Sequence, residues 1–396
     1  MARHLRAAGH HVTFVASDAF GSSADDEEAS VVRAHDLKSS GILRKVLRRG
    51  PMPTRGQGAA TERAPSSLLT KVFVPDAHVV SWLPAAALAV RRTVTREEID
   101  CVVTTGPPDS AHLAGLVLGS SRPAWLADFR DGWLFEPLRE PFPTGLQKRL
   151  DATLERRVTL AADAITAATE PIAADLRRRY GVGAVTVSNG YDPSIGEEVV
   201  TVSLPALPTD RHLIIHTGAL SGPRGRDPRP LFAALQRLGD EPSIGSQLTL
   251  VQVGPTFPAD ERLLGPLREK GLVLTLGVVP HASAIALQRR ASALLLTTSG
   301  DVSQSTGKLS EYLAARKPII ALAAGNEAAR IVQETRTGIT VPPGDVDAIA
   351  AALRSAVTGE LARAYAPRGL ERYTYPGPAE AMAAVIEEAI ARRATA

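Results

Sequence analysis

Short apolar runs rich in β-branched residues recur along this chain, each followed by a longer Ala-, Leu- and Arg-rich segment of helical period, and this alternation restricts it to an α/β fold. The runs expected to form strands are His11 to Ala16, Cys101 to Thr105, Trp125 to Ala127, Ala164 to Ala167, Ala184 to Val187, Leu213 to Thr217, Leu248 to Val253, Val273 to Leu276, Ala293 to Thr297 and Pro318 to Leu322. Continuous apolar stretches such as Leu294-Leu295-Leu296 belong to parallel strands buried on both faces. With 396 residues, two domains are expected. Turn-formers at Ser188-Asn189-Gly190-Tyr191-Asp192-Pro193 close the first series, so the chain divides into 1–193, a linker 194–209, a second domain 210–365, and a helical segment 366–396 that docks back on the first domain.

The charge balance, 45 basic against 42 acidic residues, is too even for a nucleic-acid partner. Cys101 is the only cysteine and lies in an apolar run, which makes it a core residue. Met1-Ala-Arg-His begins no apolar signal segment and no stretch is long enough to span a bilayer, so a cytoplasmic protein is expected. The Arg-, Gly- and Pro-rich stretch 38–63 reads as a mobile loop, or as a basic contact with an acidic acceptor or the inner membrane face.

In an open parallel sheet, ligands sit beyond the carboxyl ends of strands, where loops enter helix N-termini. The strand ending at Thr297 leads through a Ser/Thr/Gly-rich loop containing Ser303, Thr306 and Gly307 into Lys308, with Glu311 one helical turn on. Small residues admit a diphosphate, the lysine adds a full charge to the helix dipole, and a carboxylate accepts two hydrogen bonds from ribose hydroxyls. The same residues also fit a capped helix with a solvated Lys-Glu pair. A second loop, Gly218 to Pro228, brings Arg224 and Arg226, whose guanidinium groups suit a leaving diphosphate. Its glycine spacing is not that of a dinucleotide fingerprint, which argues against a nicotinamide enzyme.

Taken in order, Thr105-Gly-Pro-Pro-Asp-Ser-Ala-His112, Asp128-Phe-Arg130-Asp131-Gly-Trp133, Ser188-Asn-Gly-Tyr-Asp192 and Lys308-Leu-Ser-Glu311-Tyr-Leu-Ala-Ala-Arg-Lys-Pro318, with Pro75-Asp76 and Trp82 ahead of them, resemble retaining glycosyltransferases of family four, bacterial enzymes of the group 1 type. The resemblance implies a GT-B fold of two Rossmann-like doubly wound domains, the first facing the acceptor and the second holding a nucleotide sugar, with reaction in the cleft. It implies that Glu311 binds the donor ribose, that Lys308, Arg224 and Arg226 neutralise the diphosphate, and that Gly218, Ser303, Thr306, Gly307 and Val279 line the donor. His112 is implied near the sugar, and Asp128, Arg130 and Asp131 on the acceptor side. No metal and no resident cofactor are implied; a UDP-, GDP- or ADP-linked sugar is co-substrate, and the acceptor is a small molecule, glycan or lipid-linked species. His112 equally suits packing within its own helix, and the three charges after Asp128 suit mutual pairing.

Three positions depart from the family pattern. The chain enters at the first helix, so the first strand of the N-terminal domain is expected to be missing and the native start to lie upstream. Ser303 stands where many relatives carry a second glutamate, and Gly218-Ala219 stands where they carry Gly-Arg, leaving Arg224 or Arg226 to supply that charge, with Arg226 favoured. A sugar-nucleotide epimerase of the same architecture and an inactive nucleotide-sugar-binding scaffold are the competing readings.

Overall fold

The computed structural model describes residues 1–20, 30–37, 72–137, 139–193, 204–222 and 226–395. The described chain forms α1 (Ala2–Ala7), β1 (Phe14–Ser17), β2 (Val31–Ala34), α2 (Leu83–Arg96), β3 (Cys101–Gly106), α3 (Leu113–Val117), β4 (Ala124–Phe129), α4 (Gly145–Ala161), β5 (Ala164–Ala167), α5 (Glu170–Tyr180), β6 (Ala184–Thr186) and β7 (His212–Thr217). It continues with α6 (Arg229–Gly239), β8 (Leu248–Val253), α7 (Pro258–Glu269), β9 (Val273–Gly277), α8 (His281–Arg290), β10 (Ala293–Thr297), α9 (Gly307–Ala315), β11 (Ile319–Leu322), α10 (Glu327–Glu334), β12 (Gly338–Val341), α11 (Val346–Val357) and α12 (Gly377–Ala394). Among the described residues these fall into two units, one of residues up to 188 together with 378–395, the other of residues 189–377. The segment 366–377 therefore stays with the second unit, and the chain passes between units at Ser188 and at Gly377.

The second unit is one parallel sheet of order β12-β11-β10-β7-β8-β9. Alternate side chains of its strands enter two different cores. Ile214, Leu250, Leu295 and Ile320 meet Leu231 and Leu235 of α6 and Ile349 and Leu353 of α11 on one face. Leu213, Ile215, Val251, Leu294, Leu296 and Ile319 meet Leu309 and Leu313 of α9 and Ile331 of α10 on the other. A strand with both faces covered cannot alternate polar and apolar residues, which is why β10 reads Ala-Leu-Leu-Leu-Thr. Each fully buried leucine contributes about 1.5 to 3 kcal/mol relative to exposure.

The first unit holds two parallel sheets, β1-β2 and β3-β4-β5-β6. Among the described residues β1 and β2 pair only with each other, and Val103 and Thr105 of β3 remain exposed while every residue of β4 is buried. Helix α4 starts at a capping box in which the Gln147 amide donates to Thr144 Oγ1 at 3.2 Å and the Thr144 amide donates to Gln147 Oε1 at 3.3 Å. Helix α5 stops at Gly181, whose φ of 68° is the left-handed conformation that glycine adopts without strain.

Most expected strands are present, with three differences. The run His11 to Ala16 is shifted to β1 at Phe14–Ser17, because the ladder begins only where the Phe14 amide donates to Ser30 O at 3.0 Å. Strands β2 and β12 were not expected: β2 contains Arg33, whose guanidinium donates to Ser17 O at 3.1 Å, and β12 is a half-buried edge strand without a continuous apolar run. Stretch 38–63 lies outside the described residues. Cys101 sits beside the Leu126, Val187 and Met382 cluster, and burial pushes its thiol up to about 12.

Candidate functional site

At the carboxyl ends of β7, β8 and β10, the second unit brings two loops and one helix start together. The turns after β7 and β8 are held by two backbone hydrogen bonds and one from a side chain. The Gly218 amide donates to Val253 O at 2.6 Å, Gln252 Nε2 donates to Gly218 O at 2.6 Å, and the Gly254 amide donates to Gly277 O at 2.7 Å. A Cβ on Gly254 would stand 2.8 Å from Gly218 Cα, so the two turns pack backbone to backbone.

Gly218 has φ of 102°, and a side chain there would collide with the Lys308 ammonium. Lys308, in the first turn of α9, therefore lies directly over the Gly218 backbone. Tyr312, one turn further, fixes this relation: its hydroxyl accepts from the Thr217 amide at 2.9 Å and donates to Leu295 O at 3.2 Å. Arg226 lies in the same way over Gly222, where a side chain would collide with its guanidinium. Burial, then the neighbouring Arg226 charge, push Lys308 down to about 8, with Glu311 partly opposing them. Burial also lowers Arg226. Two cations near enough to act on one another form a field suited to an anion.

Glu311 is held at both oxygens. His281 Nε2 stands 3.1 Å from Oε1, and Gln288 Nε2 donates to Oε2 at 3.0 Å while also reaching Thr217 Oγ1 at 3.2 Å. Thr306 is the N-cap of α9 without a side-chain cap, and its Oγ1 is buried with no hydrogen-bond partner. The preceding loop is tied down from α10. The Glu327 amide donates to Val302 O at 2.9 Å, the Ala328 amide to Gln304 O at 3.0 Å, and Asn326 Nδ2 to Thr298 Oγ1 at 2.9 Å. Ser303 rides on this anchored loop, and Gly307 opens the helix. Val279 is partly buried against the core that contains Leu309 and Tyr312. Arg224 lies outside the described residues.

His216 is a further residue at this cluster. Its Nδ1 is 2.8 Å from Leu295 O and its Nε2 3.2 Å from Ala219 O. Burial, then the Lys308 charge, push it down to about 3, so the ring is neutral and only one of the two contacts is a donated hydrogen bond. Gln288, His216, Tyr312 and Asn326 were not singled out from sequence. Each acts by holding another residue, and nothing local in the chain marks that role.

In the first unit, His112 ends the turn Asp109–His112 and is buried. Its ring stacks on Phe129 at 4.6 Å and faces Trp133 at 6.1 Å. Trp125 Nε1 donates to Thr104 Oγ1 at 2.8 Å, and Thr104 Oγ1 is 3.0 Å from His112 Nδ1. The threonine oxygen accepts from the indole and keeps both a second lone pair and its own proton, so Nδ1 accepts from it or donates to it according to the ring's tautomer, and the remaining ring nitrogen is Nε2. That nitrogen faces Gly106, where a Cβ would stand 2.8 Å away. Burial pushes His112 down to about 3. The turn itself is held by Asp76, which accepts from the Ser110 amide at 2.9 Å and from Ser110 Oγ at 2.8 Å. Burial opposes ionisation of Asp76, but the hydrogen bonds from His78 and Ser110 outweigh it and hold its carboxyl below the usual range.

Asp128 and Arg130 pair, at 3.3 Å. Asp128 is buried and also accepts from Thr166 Oγ1 at 2.8 Å and Thr105 Oγ1 at 3.0 Å, while Arg130 donates to Val187 O at 2.9 Å. Both therefore brace β3, β4 and β5. Asp131, next in sequence, is half-buried.

The sequence model described as Glycosyltransferase Family 4 matches residues 1–195, and that described as Glycosyl transferases group 1 matches residues 211–358. Among curated proteins no sequence matches this chain. Sucrose-phosphate synthase from Thermosynechococcus elongatus superposes with a TM-score of 0.63 at 18% identity, over 98% of this chain and 91% of that one. A glycosyltransferase from Rickettsia africae gives 0.57 at 12% identity over 96% and 99% of the two chains. Anabaena HepE in complex with UDP and glucose gives 0.55 at 14% identity over 95% and 100%. At such identities the likeness is one of fold, the GT-B architecture.

Proposed function

Since this chain belongs to glycosyltransferase family 4 and is a nucleotide-sugar glycosyltransferase of GT-B fold, we propose that it holds its donor at the start of α9 and transfers the sugar with retention of anomeric configuration. The observation that carries the site assignment is the packing of Lys308 over Gly218 beside Arg226, with the buried, unpartnered Thr306 Oγ1 at the helix start and Glu311 one turn on.

In this reading the diphosphate lies against the α9 N-terminus, where the helix dipole and the two cations act on the same charge. Lys308 and Arg226 supply the positive charge that leaving-group departure demands, and no metal is called on. Glu311 takes the paired ribose hydroxyls; His281 and Gln288 hold its carboxylate ready, so little side-chain entropy is lost on binding. Val279 adds an apolar contact near the base. Anabaena HepE is described with UDP and glucose bound, which supports a uridine nucleotide as the first donor to try.

Retention follows if the acceptor attacks the face that the diphosphate leaves, its proton passing to the departing phosphate. Catalysis then rests on positioning and on electrostatic stabilisation of the leaving group. For the first unit we propose that His112 donates through Nε2 to the transferred sugar and that Asp131 serves the acceptor, with Asp76 holding the turn that carries His112 and Asp128 and Arg130 bracing the strands that precede Asp131. Among the described residues no helix is long and apolar enough to cross a membrane; a cytoplasmic location, where nucleotide sugars are available, is part of the same proposal.

The test is incubation with UDP-, GDP- and ADP-linked sugars and a panel of glycan, lipid-linked and small-molecule acceptors, with proton NMR of the product. A product carrying the donor's anomeric configuration supports the reading. An inverted product refutes retention, and conversion of the donor to its epimer without an acceptor refutes transfer.

A further inference from the structure

Helix α4 buries one side in the first unit and leaves the other exposed, without a partner among the described residues. Its carboxylates, Asp151 and Glu155, are turned inward: Asp151 accepts from Trp133 Nε1 at 2.9 Å, and Glu155 pairs with Arg179. The outward face carries Leu146, Arg149, Leu150, Arg156, Arg157 and Leu160. At about 100° per residue these six positions fall within one third of the helix circumference, along with the exposed Thr153. Leu146 is 78% exposed, and Leu150 and Leu160 are each 47% exposed.

None of the three arginines makes an ion pair among the described residues, and no acidic side chain lies on this face. The residues run in one row of about 20 Å along a convex helix, at 1.5 Å per residue. A convex row of leucines separated by arginines offers no pocket to a protein side chain. It matches a plane whose outer layer is anionic and whose next layer is apolar.

We infer that the outer face of α4 docks on an anionic lipid bilayer surface, its arginines meeting lipid phosphates while Leu146, Leu150 and Leu160 enter the headgroup boundary. This surface belongs wholly to the first unit and does not depend on the donor-site reading. It is also distinct from the basic stretch 38–63.

The experiment is co-sedimentation of the full chain with phosphatidylcholine vesicles, with and without phosphatidylglycerol. Alongside it, an environment-sensitive fluorophore is attached at Thr153→Cys or, as control, at the exposed Glu269→Cys in the second unit. The inference expects binding only to the anionic vesicles, with a blue shift at position 153 and none at 269. Replacing the three arginines together (R149Q, R156Q, R157Q) should weaken partitioning by about 100-fold, from about a factor of five for each cation near such a surface. Leu146→Ser with Leu150→Ser should abolish the blue shift. All these positions are exposed, and circular dichroism checks that the variants remain folded. Equal binding to both vesicles, binding to neither, or undiminished binding of the triple variant overturns the inference. Retention on polyglutamate but not on vesicles also overturns it, in favour of an acidic protein partner.

Discussion

Lys308 makes nucleotide affinity depend on pH in a window where an ordinary lysine would not. Its pKa is pushed down to about 8 from the ordinary 10.5 by burial and by Arg226. A bound diphosphate restores the cation and raises that pKa. Binding energy from the ammonium is therefore fully present below about 8 and is lost as pH rises above it, until the pKa of the complex is reached. With a pKa of about 8, roughly three quarters of molecules carry the proton at pH 7.5 and roughly a tenth at pH 9. Affinity for a nucleoside diphosphate should fall about eightfold across that interval. A lysine at 10.5 would lose only about 3% of its charge. The terminal phosphate is already ionised through the window, since its second pKa is near 6. His216, also beside the pair, is pushed down to about 3 and stays neutral. Calorimetric titration with UDP, GDP and ADP at pH 7.5, 8.25 and 9 reads the slope. Lys308→Met should bind about 10- to 100-fold more weakly at pH 7.5, the loss of a charge-assisted hydrogen bond, and should show no slope. An affinity that is flat for the parent protein, or an unchanged slope in Lys308→Met, would refute the reasoning.

Three further outcomes follow from the same geometry. Gly218→Ala combines a left-handed φ, costing about 1 to 3 kcal/mol, with a collision against the Lys308 ammonium, so nucleotide affinity should drop in calorimetry while circular dichroism stays native. Thr104→Val strands the Trp125 indole N–H and the His112 Nδ1 in a buried site, and urea unfolding should report a loss of about 2 to 4 kcal/mol. Asp109 is pushed up to about 7, chiefly by burial, with Arg139 opposing at 3.7 Å. A carboxyl raised in the folded state contributes stability below its unfolded pKa and loses it as pH rises through about 7. Asp109→Asn should thus raise stability by about 2 to 4 kcal/mol at pH 8 and leave it nearly unchanged at pH 4, in urea titrations at both pH values.

The α/β class and the second unit's sheet were legible because strands covered on both faces leave long apolar runs, of which β10 is the clearest. Strand β12 was not, because an edge strand needs no such run, and β2 was hidden by Arg33. Sheet order itself has no local signature: β10 and β7 are neighbours although α6, α7, α8, β8 and β9 lie between them in sequence. In the candidate site, Lys308 and Glu311 stood out as charges at a helix start after a hydroxyl-rich loop. Their supports did not. Gln288 and Tyr312 look in sequence like any helix residues, and only the fold reveals that one clamps Glu311 and the other ties Thr217 to α9. Asp128 shows the opposite case: it looks like a cleft carboxylate in its motif, yet Thr166, Thr105 and Arg130 occupy it.

The most direct test of the donor-site account is calorimetric binding of UDP, GDP and ADP to the parent protein and to Glu311→Ala at pH 7.5. The account predicts that one nucleotide binds the parent protein preferentially and that the substitution weakens it by about 10- to 100-fold, the cost of losing hydrogen bonds to a charged acceptor. Failure of the folded protein to bind any of the three, or equal affinity in Glu311→Ala, would contradict it.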